Sequence, residues 1–373
     1  MITPGDELPL HQTAEPIAFS GTDRNFYDRS WFGGFTDDAS LVFELSFGVY
    51  PHLNVTDAHL SVLRDGVQEC VHASAHLGMD RLAMRVGPIR IEVVEHLRVL
   101  RLHVDPAETG IGAALEFAAV APPHQEPRFT WRRGPRTAMD YTRFCQSGRW
   151  SGTITIDGET LDVGGARAAR DRSWGVRPIG AHDRQPHVPA LDPQLFWLWS
   201  TTQLDDRSVF FHDQAEADGT PINRRMVVVR HDPGGGAVEL PRAREEVTFA
   251  PGTRWPSGMT VVGHDEHDAR HELTFVPRHR FAMAGLGYGH REWGFGRDQG
   301  PLRVARERIL PAEQAPDAVQ SLHQHTLCDV TYRHDDGVHR GTGILETLVI
   351  GASHAHGFVD VSGPAQAPVA APA

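Results

Sequence analysis

Acids, bases and aromatic rings concentrate in four stretches of this chain: residues 25–32, 170–177, 196–199 with 210–213, and 287–294. In the second, Arg-Asp-Arg-Ser-Trp-Gly-Val-Arg, strand alternation puts Asp171, Ser173 and Gly175 on one face and Arg172 and Trp174 on the other. A tryptophan beside a guanidinium suits a pocket wall, because the ring face attracts a cation and offers flat apolar surface. An aspartate in such a wall is partly desolvated, so its pKa rises unless an arginine compensates, and that tension makes a general acid. The competing reading is a buried structural Asp–Arg pair with the tryptophan as filler. In the fourth stretch Tyr288, His290 and Glu292 alternate at period 2, which on a strand forms either a proton relay facing a cavity or a satisfied histidine at a barrel rim. Phe211-His212-Asp213 is weaker, since a His–Asp pair at a strand end is commonly a turn feature.

The 23 histidines raise the question of metal. His264-x-x-His267 with His271, His323-x-His325 and His354-x-His356 all have ligand-like spacing. The first set sits in a polar stretch that reads as a solvated loop, whereas zinc prefers two ligands on a rigid strand and a third from elsewhere. The expectation from sequence is no metal site. No Gly-x-Ser-x-Gly elbow occurs, and the glycines at 285, 287 and 289 lack the strand–helix context of a nucleotide fingerprint.

These residues need a scaffold, and the pattern around them is β. Gly and Pro number 37 and 26, scattered along the chain, which leaves little room for long helices. Apolar residues alternate at Ile89, Ile91 and Val93 and at Leu100, Leu102 and Val104, and residues 153–156 run into Asp157-Gly158, a hairpin turn signal. Similar turn pairs recur at Asp65-Gly66, Asp218-Gly219 and Asp336-Gly337. Residues 312–324, after Pro311, are the one helix candidate. Short strands with regular turns predict an all-β chain of antiparallel sandwich or barrel domains. Four prolines over residues 178–193 mark the crossing between two β domains, giving 1–180, 193–362 and a low-complexity, disordered tail at 363–373.

The chain has 373 residues, enough for roughly two domains. All 36 of its Lys+Arg cations are arginine, which excludes Schiff-base and pyridoxal chemistry and the lysine of a phosphate-binding loop. A formal net charge of −12 argues against nucleic acid, because the basic spots at residues 131–133 and 224–225 are short and flanked by acids. Three widely spaced cysteines without a Cys-x-x-Cys pair, and no stretch of 18 apolar residues, read as a soluble, reduced, cytoplasmic protein without a membrane span.

At Asp171-Arg172-Ser173-Trp174-Gly175 the chain resembles the carotenoid 1,2-hydratase (hydroxyneurosporene synthase) superfamily and its Asp/His-x-x-Trp-Gly motif. Tocopherol cyclase and fungal decalin-forming Diels–Alderases are distant relatives of that group. The opening Gly-Asp-Glu-Leu-Pro-Leu-His-Gln-Thr, the Asn-Phe-Tyr-Asp-Arg-Ser segment and Gly-Tyr-Gly-His-Arg-Glu-Trp-Gly are similar to a bacterial branch of unassigned function. The resemblance implies two lipocalin-like antiparallel barrels packed side by side, an apolar cavity at or near their interface, and cofactor-free acid–base chemistry on alkenes or polyenes. The family's catalytic histidine position is Arg172 here, with Trp174 retained; its Tyr-x-Asp pair aligns at Phe211-His212-Asp213, keeping only the aspartate. Arginine donates no proton at neutral pH, so the resemblance implies a pocket for an anionic or carbonyl-bearing substrate instead.

The sequence therefore predicts a cofactor-independent lyase, isomerase or cyclase acting on a hydrophobic isoprenoid, steroid or polyketide-like molecule. Asp171 or Asp213 moves the proton, Arg172 and Arg177 hold an oxyanion or fix Asp171, and His290 with Glu292 is the alternative acid–base pair. Trp174, Trp197, Trp199, Phe211, His212, Tyr288, Trp293, Tyr27 and Trp31 line the cavity. A non-catalytic carrier of an apolar ligand is the alternative, since eight-stranded barrels commonly hold one ligand. A homodimer is compatible with either.

Overall fold

The computed structural model describes residues 2–9, 11, 23–133, 136–180, 193–232 and 236–365. Most of the expected proline-rich crossing, and the tail from residue 366, lie outside those residues. Contacts divide the chain into two compact units, Met1–Arg184 with Ala284–Leu310 and Gln185–Met283 with Pro311–Ala373. Among the described residues the regular structure is antiparallel strand with a few one-turn 3-10 segments, and no helix is long and apolar enough to cross a membrane.

The first unit is built on β1 (Phe26–Phe35), β2 (Leu41–Tyr50), β3 (Val55–Arg64), β4 (Val67–His76), β5 (Arg136–Ile156) and β6 (Arg167–Val176). Their order is β4-β3-β2-β1-β6-β5, continued through Ile111–Ala119, Val99–Val104 and Ile89–Glu95 to Arg85–Val86, so that the sheet curls into a nearly closed barrel. The Asp-Gly turns form as expected. Asp65 and Gly66, and Asp157 and Gly158, all have positive φ, the pattern of two-residue hairpin turns whose twist matches the flanking strands. Even-numbered residues of β1 and β6 face the barrel interior, where Phe32 and Ala168 join Leu45, Leu60, Leu102 and Trp150 in one apolar core.

The second unit carries β7 (Leu195–Gln203), β8 (Arg207–Ala215), β9 (Pro221–Arg230) and β10 (Arg270–Ala282). The chain then leaves it. β11 (Leu302–Ile309) pairs along most of β4 in the first sheet, from Leu302 opposite Ala75 to Ile309 opposite Gln68. The expected second domain over 193–362 is therefore interrupted, because Ala284–Leu310 belong to the first unit. The chain goes back to lay β12 (His323–His334) against β10 and β13 (Gly337–Ile350) between β12 and β7. This second sheet is a half-barrel over its own core, including Phe211, Met226, Leu273 and Val330.

The expected helix at 312–324 is corrected to two 3-10 turns, Pro311–Glu313 and Val319–Ser321, with β12 already begun at His323. Pro316 breaks the α pattern. The Ser321 hydroxyl donates to the carbonyls of Ala315 and Ala318, offering the backbone a competing arrangement.

Gly175 in the Trp-Gly motif has φ 138°, and a Cβ there would lie 2.3 Å from the Asp140 carbonyl oxygen. Gly158 also has positive φ, 87°, but open space around it. Gly175→Ala is therefore expected to cost roughly 2–4 kcal/mol of stability and Gly158→Ala about 1. Equal losses for the two variants in urea titrations would contradict a steric role for Gly175.

Candidate functional site

The interior of the first barrel changes character along its length. Beyond the apolar core, the inward positions of β1 and β6 become Ser30 and Asp28, facing Arg172 and Trp174 in register. Arg172 is 1% exposed and donates to Asp28 Oδ1 at 2.6 Å and to Ser30 Oγ at 2.9 Å. One turn of the pleat away, Arg170 forks onto both oxygens of Glu7, at 2.5 and 3.0 Å, and onto Gln146 Oε1. Burial pushes the Glu7 carboxyl up, but the guanidiniums of Arg170 and Arg172 and the Leu97 amide outweigh it, and its pKa lies below the usual range.

His11 completes this network. Its Nδ1 is 3.0 Å from Asp28 Oδ2 and its Nε2 is 2.9 Å from Asp6 Oδ1. The ring lies flat on Trp174, with centroids 3.6 Å apart and planes 10° from parallel. A neutral imidazole has one N–H and donates to one of those carboxylates, whereas an imidazolium donates to both. The ring is therefore held at both nitrogens and on one face.

A cavity of about 650 Å³, within the size range of small-molecule sites, is lined in part by β2, and Glu7, His11, Asp28, Arg172 and Trp174 are not on its wall. Phe47, Val49, Met84 and Val86 wall it on one side, continuous with the barrel core. Phe47 stands opposite Ser30 and Val49 opposite Asp28. Arg81 also lines the cavity and donates to the His11 carbonyl at 3.3 Å. Burial and the neighbouring Arg172 pull Arg81 below its usual pKa, against the opposing pull of Asp28.

The other predicted residues lie elsewhere. Asp171 is on the opposite face of β6, in register with Trp31 and Cys145. That outward face of the first sheet is also buried, beneath the segment that precedes β11. Arg29 donates to the Leu286 carbonyl and stacks on Tyr288 and Phe295, and Arg177 lies over Tyr27. Trp31 Nε1 donates to Glu44 at 2.7 Å. Tyr288, His290 and Glu292 do not alternate on a strand, because residues 287–294 are turns closed by glycines with positive φ at 287 and 289. His290 Nδ1 accepts the backbone N–H groups of Glu292 and Trp293, so its Nε2 bears the proton and donates to Glu307, not Glu292. Glu292 is half exposed and paired with Arg303.

His72 continues that network. It reaches Glu307 through Nε2 at 3.0 Å and His59 through Nδ1 at 2.9 Å, with Trp293 stacked on its ring. Burial pushes both histidines below their usual range. Asp57, 3.9 Å from His59, is pushed up to about 6 by burial, against Arg29, the Gly296 amide and the Tyr50 hydroxyl.

In the second unit, Phe211 is core and Asp213 is fully buried, sharing Arg224 with Glu245 at 2.8 and 3.2 Å. Burial and the Asp213 charge raise the Glu245 carboxyl well above its usual range. On the other face Trp197 stacks on His212, which reaches Asn223, and Trp199 stacks on His325. The predicted residues are thus dispersed, and only Arg172 and Trp174 belong to the His11 network, linked through Asp28 and His11. Glu7, His11, Asp28 and Glu245 were missed. Asp28 was accessible from alternation, since it shares inward parity with Phe32.

Residues 2–359 match a family described as being of unknown function, DUF8625. No curated protein matches the sequence. Among solved structures the chain is similar to a putative AttH from Nitrosomonas europaea, with a TM-score of 0.54 at 14% identity over 91% of this chain and 98% of that one. It is similar to kievitone hydratase from Nectria haematococca, with a TM-score of 0.54 at 12% identity over 94% and 93%. A structure of CghA with Sch210972 gives a TM-score of 0.50 at 11% identity over 92% and 97%. At these identities the likenesses establish the fold, two lipocalin-like β units.

Removing one partner of the buried Arg172–Asp28 pair leaves an uncompensated charge, so Asp28→Leu or Arg172→Met is expected to cost about 3–5 kcal/mol, with the double variant recovering much of it. Additive losses in a denaturation cycle would show the two groups to be uncoupled. For Asp57 the folded pKa of about 6 lies above the ordinary 3.8. Its contribution is then complete below about pH 4 and is lost as pH rises to about 6, on the order of 3 kcal/mol. Wild-type stability measured against Asp57→Asn should fall across that window, and a flat difference would count against the assignment.

Proposed function

The chain belongs to the DUF8625 family of unknown function, and we propose that it is a cofactor-independent lyase, isomerase or cyclase. It acts by acid–base chemistry on a hydrophobic small molecule of isoprenoid, steroid or polyketide-like size, held in the first barrel. The observation that carries this reading is the buried His11, Asp28, Arg172 and Trp174 network, tied through the Arg81 contact with the His11 carbonyl to the wall of a cavity of about 650 Å³. In this reading His11 moves the proton, steadied by Asp6 and Asp28 as a general acid–base is by its orienting carboxylate. Arg81, on the cavity wall, holds developing negative charge on a carbonyl or enolate oxygen. Trp174 lies flat on the His11 ring, and Phe47, Val49 and Met84 supply the apolar wall. Arg172 is a positioning residue, fixing Asp28. Asp171, Asp213, His290 and Glu292 take no part. Kievitone hydratase and CghA with Sch210972, on the same fold, support a small-molecule enzyme.

A second reading, a carrier of an apolar ligand, is favoured by the saturation of the network. Arg170 and Arg172 already hold carboxylates at hydrogen-bond distance, as a rigid floor would.

Denaturing solvent extraction followed by mass spectrometry against a mock purification is expected to yield an enriched lipophilic species. Wild type should convert that species or its precursor, and His11→Gln should slow turnover at least 100-fold with binding kept within a few fold. Full turnover by His11→Gln would remove His11 from the mechanism. Tight binding with no conversion by wild type would establish the carrier.

A further inference from the structure

Two sets of metal-ligating side chains converge among the described residues, His72 with His290 and Glu307, and His323 with His325 and Glu346. In each set the three donor atoms lie within 4.8 Å of one another. The first set is a hydrogen-bond network. His290 Nε2 must carry its proton, because Nδ1 accepts two backbone N–H groups, and a protonated nitrogen is no ligand.

The second set is built differently. His323 and His325 are two residues apart on β12, so their rings share one face. Glu346 stands directly opposite His325 on β13. His323 Nε2 is 2.5 Å from Glu346 Oε1, and His325 Nε2 is 3.8 Å from Glu346 Oε2. Side-chain exposures are 8%, 4% and 12%. The strands that carry them pair without a register shift from His323–Leu348 to His334–Gly337, so the donors stand on rigid backbone.

We propose that His323, His325 and Glu346 bind a divalent first-row transition ion. Metal–nitrogen and metal–oxygen bonds of about 2.0–2.2 Å place tetrahedral donors roughly 3.3 Å apart. The observed 2.5 and 3.8 Å bracket that spacing, so each donor adjusts by less than about 1 Å. A plain ion pair needs only one histidine to balance Glu346. The second, on the same face and reaching toward the other carboxylate oxygen, is what a ligand set requires. Two imidazoles and one carboxylate leave further coordination positions open to water or to an oxygen of a small molecule, which the ion polarises as a Lewis acid. Trp199, stacked 6.4 Å from His325, supplies an aromatic wall beside those positions. The set lies in the second unit, so it stands or falls independently of the first-barrel reading.

The full chain, stripped with chelator and dialysed, is titrated with Zn²⁺ by calorimetry and with Co²⁺ by visible absorption. One equivalent of Zn²⁺ should bind, with a Co²⁺ d–d band and a raised thermal midpoint. Glu346→Gln and His325→Gln should each weaken binding at least tenfold and abolish the band. His264→Ala/His267→Ala, which removes ligand-spaced histidines next to exposed Glu266, should leave all three signals unchanged. A wild type with no saturable Zn²⁺ binding and no band would overturn the site. So would binding that follows the 264/267 variant and survives at Glu346→Gln. Should the single variants fail to fold, as judged by circular dichroism in chelator, the wild-type Co²⁺ band decides: a tetrahedral N/O spectrum supports the site and its absence refutes it.

Discussion

A guanidinium keeps its charge at every pH a folded protein meets, and this chain places several where water does not reach. Arg81, Arg170, Arg172 and Arg254 are each 2% exposed or less. Stranding such a cation costs several kcal/mol, so the chain must bring an acceptor to each. That requirement explains contacts which apolar packing alone would not. The segment before β1 is fixed by Glu7 on Arg170 and by His11 on Asp28. The segment after β13 is fixed by Arg254, which donates to the carbonyls of Val349, Gly351, Asp360 and Gly363. The buried carboxylate of Asp28 on β1 answers the guanidinium of Arg172 on β6.

Much of the fold was legible because its signals are local. The Asp-Gly turns at 65–66 and 157–158 need positive φ and obtain it, and the alternating runs at Ile89 and Leu100 became paired strands. The helix expected after Pro311 failed for a local reason too: a Ser side chain that bonds backward and an internal Pro outweigh a short favourable composition.

The site was less legible, for a physical reason. Alternation reveals the inward face only where the outward face meets water. β2 is buried at all ten of its positions, and β1 at nine of ten. Polar groups then mark a second packed face as readily as a surface, so Asp171 and Arg172, adjacent in sequence, end up in different environments. Asp28 is separated from Arg172 by 144 positions, and Glu346 from His323 by 23. Only strand register shows that each pair meets. The Trp-Gly motif lies on β6, and Arg172 and Trp174 share its inward face with the network that holds Asp28 and His11.

The return of the chain to the first sheet has a consequence for the order in which the protein is made. Between Arg184 and Ala284 the growing chain builds most of a second unit, and only then supplies the strand that covers β4. At about 5–20 residues per second, that edge waits roughly 10 s or more with its backbone N–H and C=O groups unmatched. An uncovered edge strand is a template for pairing with a neighbour. Yet β4 presents Glu69, His72 and His76 along this stretch, polar side chains that disfavour such pairing until Arg306 and Arg308 arrive to take Glu69. The ion pairs that close the finished barrel are, during synthesis, the charges that guard its open side.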